Sequence, residues 1–403
     1  MRITLAFGLS ALALIAMPAA AQNYRSDGTT VTVVGRNLPQ FRERLAACLA
    51  RHCPVDEDVD ATLALAESLF LNGEYREARS IVRASIRRNH AQAAAFPEPV
   101  SDLYRVQTRL ARHLGLDREA RLASFDILNA LQAGLPREDH RHFTARLEIA
   151  DMQLQSGNLR GAQRELDELI GLARAAGRED VVTMAELRGA FYQLVAVPRH
   201  GEAMARLHRW ATLEGQEHRF RATGARLMLA RLYRREGDVA RSDALFEQVA
   251  RSTAMSARRR LLYAPRVQLA QQARLEGDYD PLDPSNISLH PTSPDDMENG
   301  WIDVGFWIHP DGRVSDVEIL RRGAEASWSR PLIRSIEGRR YSVGAQPTYK
   351  IERYTYTSEL FRGTGSRLAQ RSAAARVEYL DLSTAAETAA APPPRSGGGR
   401  PVI

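Results

Sequence analysis

The pattern of apolar positions changes character along this 403-residue chain. In residues 300–360 the apolar side chains alternate, with Ile302, Val304, Phe306 and Ile308 on one side, the two-residue period of a half-buried strand. His309-Pro310-Asp311-Gly312 interrupts the run; proline fixes φ and glycine accepts a positive φ, so these residues predict a tight turn. A second strand follows at 314–320, with Val317 and Ile319 pointing one way. Ser327 or Ser329 is placed to cap a short helix with Pro331 in its first turn. Trp328, Leu332 and Ile336 recur at fourfold spacing, a face that would cover the hairpin. Residues 349–360, rich in Tyr, Thr and Ile, complete a strand, strand, helix, strand order.

Upstream of this module the pattern is one of self-similarity. Leu65-Ala66, Leu69, Gly73-Glu74-Tyr75, Ala78 and Val82 place apolar and small residues on one helix, a glycine at its end and a small residue where a second helix crosses. Ile149-Ala150, Gly157-Asn158-Leu159, Ala162 and Leu166 repeat the arrangement, as do Leu229-Ala230, Tyr233, Gly237-Asp238-Val239, Ser242 and Phe246. Residues 115–120 carry a weaker copy, and Gly73, Gly115 and Gly157 fall at equal intervals of 42. Small residues let paired helices approach, and glycine reverses the backbone without a Cβ penalty. These positions resemble those of tetratricopeptide repeats, with helices longer than in the usual repeat of about 34 residues. The resemblance implies an α-helical solenoid with a concave surface, expected here as four to six helix pairs over residues 61–274. Leu269-Ala270 and Gly277-Asp278-Tyr279 make half of one more repeat, which Pro281 and Pro284 would stop, so the array is set at 61–279. Residues 280–299, with four prolines, are expected to be a linker.

The 300–361 module resembles the C-terminal domain of the TonB energy-transducer family. Asp311-Gly312-Arg313-Val314-Ser315-Asp316-Val317-Glu318-Ile319 follows that family's hairpin, and Arg340-Tyr341 stands where it usually has Arg-Phe. Arg339 replaces a common Trp, and Val343 or Gly344 stands where a Pro is usual. The resemblance implies a small α+β domain whose last strand captures a strand from an outer-membrane transporter. The exposed edge is expected at Ile351, Arg353, Tyr354, Thr355, Tyr356 and Thr357, because Tyr354-Thr355-Tyr356-Thr357 carries neither Pro nor charge to protect it. The competing expectation is that residues 377–382 fold back and cover that edge. The rest of the tail, 362–403, is read as largely disordered, being Ala-, Pro- and Gly-rich from residue 385.

The N-terminal residues shift the setting. Arg2 precedes an apolar run over 3–17, Pro18 interrupts it, and Ala19-Ala20-Ala21 supplies the small-x-small pattern of a signal peptide ending before Gln22. The alternative is an uncleaved inner-membrane anchor, and only then would residues 3–21 make membrane contact. Export predicts an oxidising compartment, the periplasm, and hence a bond between the only two cysteines, Cys48 and Cys53. Five residues apart on one helix they would lie about 8 Å apart, too far to bridge, so the helix in residues 22–60 must end near residues 48–51. The net charge of +6 comes from arginines dispersed among acids, with Lys350 the only lysine, which gives no basis for nucleic-acid binding.

Candidate chemistry is sparse. Asp56, Asp58, Asp60 and Glu67 match four positions of a calcium loop, but Ala61 stands where the loop needs Gly. His140 and His142 have no third ligand at suitable spacing, and Gly363-Thr364-Gly365 lacks the context of a phosphate cradle. No nucleophile, metal set or cofactor motif is found, so the expectation is a non-enzymatic scaffold, without cofactor, for a protein or peptide partner in the periplasm. The energy-coupling role with an outer-membrane transporter is the alternative.

Overall fold

The structure, a computed structural model, describes residues 38–196, 201–253, 259–265, 267, 300–324, 328–362, 365, 367 and 369–383. The segments 1–21 and 280–299 and the half-repeat at 269–279 lie outside the described residues. Among the described residues helix α1 (Leu38–Ala50) precedes five helix pairs: α2 (Val55–Leu71) with α3 (Tyr75–Asn89), α4 (Pro97–His113) with α5 (Asp117–Gly134), α6 (His140–Gln155) with α7 (Leu159–Ala175), α8 (Glu179–Ala196) with α9 (Gly201–Ala211), and α10 (Arg219–Arg235) with α11 (Val239–Thr253). The array is therefore a helical repeat, and it begins six residues earlier than expected, because Pro54 starts α2 directly after the cysteine loop. Cys48 and Cys53 are disulfide-bonded with Cα atoms 5.1 Å apart, and α1 ends at Ala50, as the spacing requires. The repeat glycines do what their type allows: Gly73, Gly115, Gly157 and Gly237 have φ of +84°, +73°, +75° and +84°. In the first of these turns Gly73 N donates to Phe70 O and Glu74 N donates to Leu69 O, both at 2.9 Å, the closing bonds of a helix C-terminus.

After the array come β1 (Leu261–Tyr263), β2 (Trp301–Ile308), β3 (Val314–Arg322), α12 (Ser329–Glu337), β4 (Arg340–Tyr341), β5 (Thr348–Arg362) and β6 (Ala369–Asp381). The expected strand, strand, helix, strand order is present, with α12 starting on an uncapped Trp328 rather than a serine cap. The main sheet runs β3-β2-β5-β6, all antiparallel. Three expectations are corrected here. Strand β5, which holds the supposed edge residues, is internal, because β6 pairs along it from Ala369 to Asp381. The tail is accordingly not disordered over 369–381. Strand β2 is also not half-buried: every residue from Trp301 to Ile308 is buried.

The reason is that both sheet faces are covered. Ile302, Val304, Phe306 and Ile308 face Trp328, Leu332 and Ile336 of α12, as the sequence spacing predicted. The other face, carrying Trp301, Asp303, Arg353 and Thr355, packs on the helical array, and Trp301 belongs to the same apolar cluster as Leu69, Phe70 and Tyr75. The module is thus docked on the array. It meets the first two helix pairs at their turns: Leu360 N donates to Gly115 O at 2.7 Å, and Arg376 pairs with Asp117. It also reaches the last pair, since β1, packed on Leu227, Ala230, Phe246 and Val249 through Leu262, pairs with β4.

Candidate functional site

The residues expected to form an exposed partner-binding edge are instead the centre of the junction between sheet and array. Arg353 is fully buried; its guanidinium donates to Phe70 O at 2.9 Å and Leu71 O at 2.8 Å, the last carbonyls of α2. It lies 3.8 Å from the Trp301 ring centroid and pairs with Asp303, itself held by Arg321 at 2.6 Å. Thr355 contacts Tyr75 Oη at 3.1 Å and His113 Nδ1 at 2.8 Å. Burial pushes the His113 imidazole down to about 3, so it is neutral here. Tyr354 and Tyr356 face the opposite layer, where Tyr356 stacks on Trp328. Ile351 and Thr357 are buried in the ladder, Ile351 opposite Gly305 and Thr357 opposite Arg376. The departure at Arg339 is explained on that same face: Arg339 is buried and donates to Glu352 at 2.7 Å and Tyr354 Oη at 2.8 Å. Burial pushes the Glu352 carboxyl up, but Arg339 and Lys350 outweigh it and hold it at about 2.

The calcium-loop pattern lies on a helix, since Asp56, Asp58 and Asp60 all fall within α2. Asp58 is consumed by Arg88 at 2.6 and 2.8 Å, Asn89 at 2.7 Å and Thr62 at 3.0 Å. Among the described residues no group of His, Cys, Asp and Glu is placed to hold a metal ion. His142 is buried with Nδ1 near Arg137 O at 3.3 Å, and His140 sits 3.6 Å from Asp139.

A polar surface does emerge on the first helices of the pairs. Helices α2 and α4 touch each other, as do α6 and α8, and α8 and α10, whereas neighbouring second helices make no comparable contact among the described residues; α4 and α6 do not approach so closely and meet through side chains. The layer whose members crowd together is the inner side of a curved array. Along it run charges that bridge successive pairs. Glu67 of α2 faces Arg109 of α4. Arg105 of α4 donates to Glu148 of α6 at 3.0 Å and lies 3.7 Å from Asp102. Asp151 of α6 pairs with Arg188 of α8 and accepts from Tyr192 Oη at 2.5 Å. Glu67, Arg109 and Asp151 occupy one repeat position, six residues before Gly73, Gly115 and Gly157, with alternating sign; Arg231 holds the same place before Gly237.

These side chains combine water access with crowding. Glu67 and Arg109 are exposed and Asp102 and Glu148 partly so, yet burial among the surrounding helices pushes all three carboxyls up, Asp102 to about 6. Burial likewise pushes the Arg109 guanidinium down. Asp102 and Glu148 share Arg105, with Arg141 also acting on Asp102 and Arg188 on Glu148, and burial still outweighs these cations. The sequence reading missed this rail. Counting back from each repeat glycine would have found it, but Glu67 was absorbed into the calcium pattern. A depression lies between α7, α8 and α9, lined in part by Ala185 and Gly189, and two of its charged residues, Arg174 and Glu186, pair with each other at 3.1 Å.

No protein-family model matches the chain, and no curated protein matches it. Among solved structures it is similar to BtubC from P. vanneervenii, with 18% identity and a TM-score of 0.40 over 59% of this chain and 96% of that one. It is also similar to a putative kinesin light chain with nearly identical TPR-like repeats from Podosopora anserina, with 17% identity and a TM-score of 0.37 over 50% of this chain and 98% of that one.

Proposed function

We propose that this chain is a non-enzymatic cell-envelope scaffold whose inner helical face holds a protein or peptide partner. The observation that carries the reading is the rail of charges bridging α2, α4, α6 and α8: it is solvent-reachable at Glu67, Arg109, Asp102 and Glu148, in a setting already stripped of part of its water, where burial raises the carboxyls. Carboxylates so placed gain from a cationic side chain that replaces their remaining water, so the partner segment presents Lys or Arg toward α4 and α6. The periplasmic setting is supported by the signal pattern ending at Ala21 and by the Cys48–Cys53 bond, which persists in oxidising compartments. The energy-coupling alternative needs a free last strand. Strand β5 is paired on both sides, which weighs against capture at residues 351–357, while β6, the last strand, lies at the sheet edge.

Two measurements test this. N-terminal sequencing of the chain recovered from the periplasm is expected to read from Gln22, and recovery only in membranes with Met1 intact would replace periplasmic release with anchorage. A photo-cross-linker at Glu67, on the inner face, is expected to trap a partner that is lost in an Asp102→Arg background. A cross-linker at Leu122, which is 55% exposed on the second-helix layer, is expected to trap nothing. Equal trapping at both positions, or trapping at 67 unaffected by Asp102→Arg, removes the inner face as the binding surface.

A further inference from the structure

We infer that the sheet module is a splint that ties the two ends of the helical array into one closed circuit, so that the ends are energetically coupled. A solenoid is held by contacts between neighbours alone, and its ends do not feel each other except through every pair between them. Here a second route exists. At the array's start, Arg353 of β5 enters the C-terminus of α2, Trp301 covers Gly73, and Arg376 of β6 donates to Arg112 O at 3.2 Å and pairs with Asp117 across the turn between α4 and α5. At the array's end the insertion runs the other way: Arg259, just past α11, donates to Ser342 O at 2.9 Å and to Gln346 O in the module. Ser342 N donates to Arg260 O at 2.7 Å, and Ser335 Oγ donates to Pro265 O at 2.6 Å. Arg231 of α10 completes this side by donating to Leu262 O at 2.8 Å.

Both anchors are guanidinium groups seated among backbone carbonyls, which fix direction as well as distance. Their joint effect is that the array cannot change curvature without withdrawing one arginine. Between the two anchors the module leaves the turn of the third pair uncovered: nothing lies within 4 Å of a Cβ placed on Gly157, unlike Gly73 and Gly115. The splint therefore sets the spacing of the inner charges before any partner arrives, which is preorganisation by the chain itself.

The test uses the whole chain with Arg259→Ala, a substitution at a partly exposed position near the array's end. Hydrogen exchange is expected to rise about tenfold or more in α2 and α4, which Arg259 does not touch, as well as in β1 and β4. In a Trp210→Phe background, tryptophan fluorescence then reports the module through Trp301, Trp307 and Trp328 while far-UV circular dichroism reports the helices. The two melting curves are expected to coincide with Arg259 present and to separate in Arg259→Ala. Exchange changes confined to β1, β4, α10 and α11, with the two curves still behaving alike in both chains, would falsify the splint. Arg353→Met is the reciprocal variant, expected to loosen α10 and α11; if it does not fold, Arg259→Ala alone decides.

Discussion

Gly73 and Gly157 hold the same place in the first and third helix pairs and have φ of +84° and +75°, yet their surroundings differ. A Cβ on Gly73 would sit 2.3 Å from Trp301 Nε1, whereas a Cβ on Gly157 would meet nothing within 4 Å. Gly157→Ala thus incurs only the left-handed backbone penalty, about 1 kcal/mol, while Gly73→Ala must also displace the indole on which Arg353 rests. The expected outcome in urea unfolding is a loss of about 1 kcal/mol for Gly157→Ala and a loss at least 2 kcal/mol larger for Gly73→Ala. Equal losses would mean that Trp301 does not cover that turn. The same residue-scale logic shows why the junction was not legible. Asp303 and Arg353 look like ordinary strand charges in sequence, and only their cross-strand register makes them a buried pair. Buried pairs are retained through such fixed partners and cost dearly when one member is lost.

At the scale of elements, the helix pairs and the strand, strand, helix, strand order were legible because each rests on a local period. The position of β5 in the sheet was not. Residues 369–376 are short of the β-branched and aromatic types that mark strands, and they pair because the fifteen-residue β5 offers them a ladder. Tertiary context thus overrides a weak local preference. The competing expectation that residues 377–382 return to cover β5 was the correct one in kind, and the strand extends further back than it proposed. The experimental consequence is inverted. Thr355→Pro, which on an edge strand would remove binding alone, now breaks an internal ladder between Trp301 and Glu378 and strips the hydroxyl from Tyr75 and His113. It is expected to cost about 3 kcal/mol or more and to lower the melting temperature of helices and sheet together. A variant that melts like its parent would restore the edge assignment.

Over the whole molecule, two regions, one partly exposed and one buried, respond to protons in opposite senses. Asp102, facing Arg105, Glu98, Glu148 and Arg141 on the inner face, is raised from 3.8 to about 6 chiefly by burial. The folded chain therefore holds that proton more tightly than the unfolded chain. The resulting stability is full below 3.8 and is lost as pH rises through 6. His113, facing Glu378, Arg109, Arg112 and Arg353 at the junction, is lowered by burial from 6.5 to about 3. Its stability is full above 6.5 and is lost as pH falls toward 3. Glu378 adds to the acid side only lower down: burial pushes it up, but Arg112 and Arg376 hold it at about 2, so its contribution is lost below the ordinary 4.5. Between about pH 4.5 and 6.5 the Asp102 and His113 effects oppose each other, and the parent chain is expected to be nearly flat in unfolding free energy. Removing either group unmasks the other. Asp102→Asn should lose roughly 1–2 kcal/mol on going from pH 6.5 to 4.5, and His113→Gln should gain a similar amount over the same interval. Urea unfolding of the three proteins at the two pH values decides the matter. Slopes of the same sign in both variants would show that inner face and junction are not independent proton-linked regions.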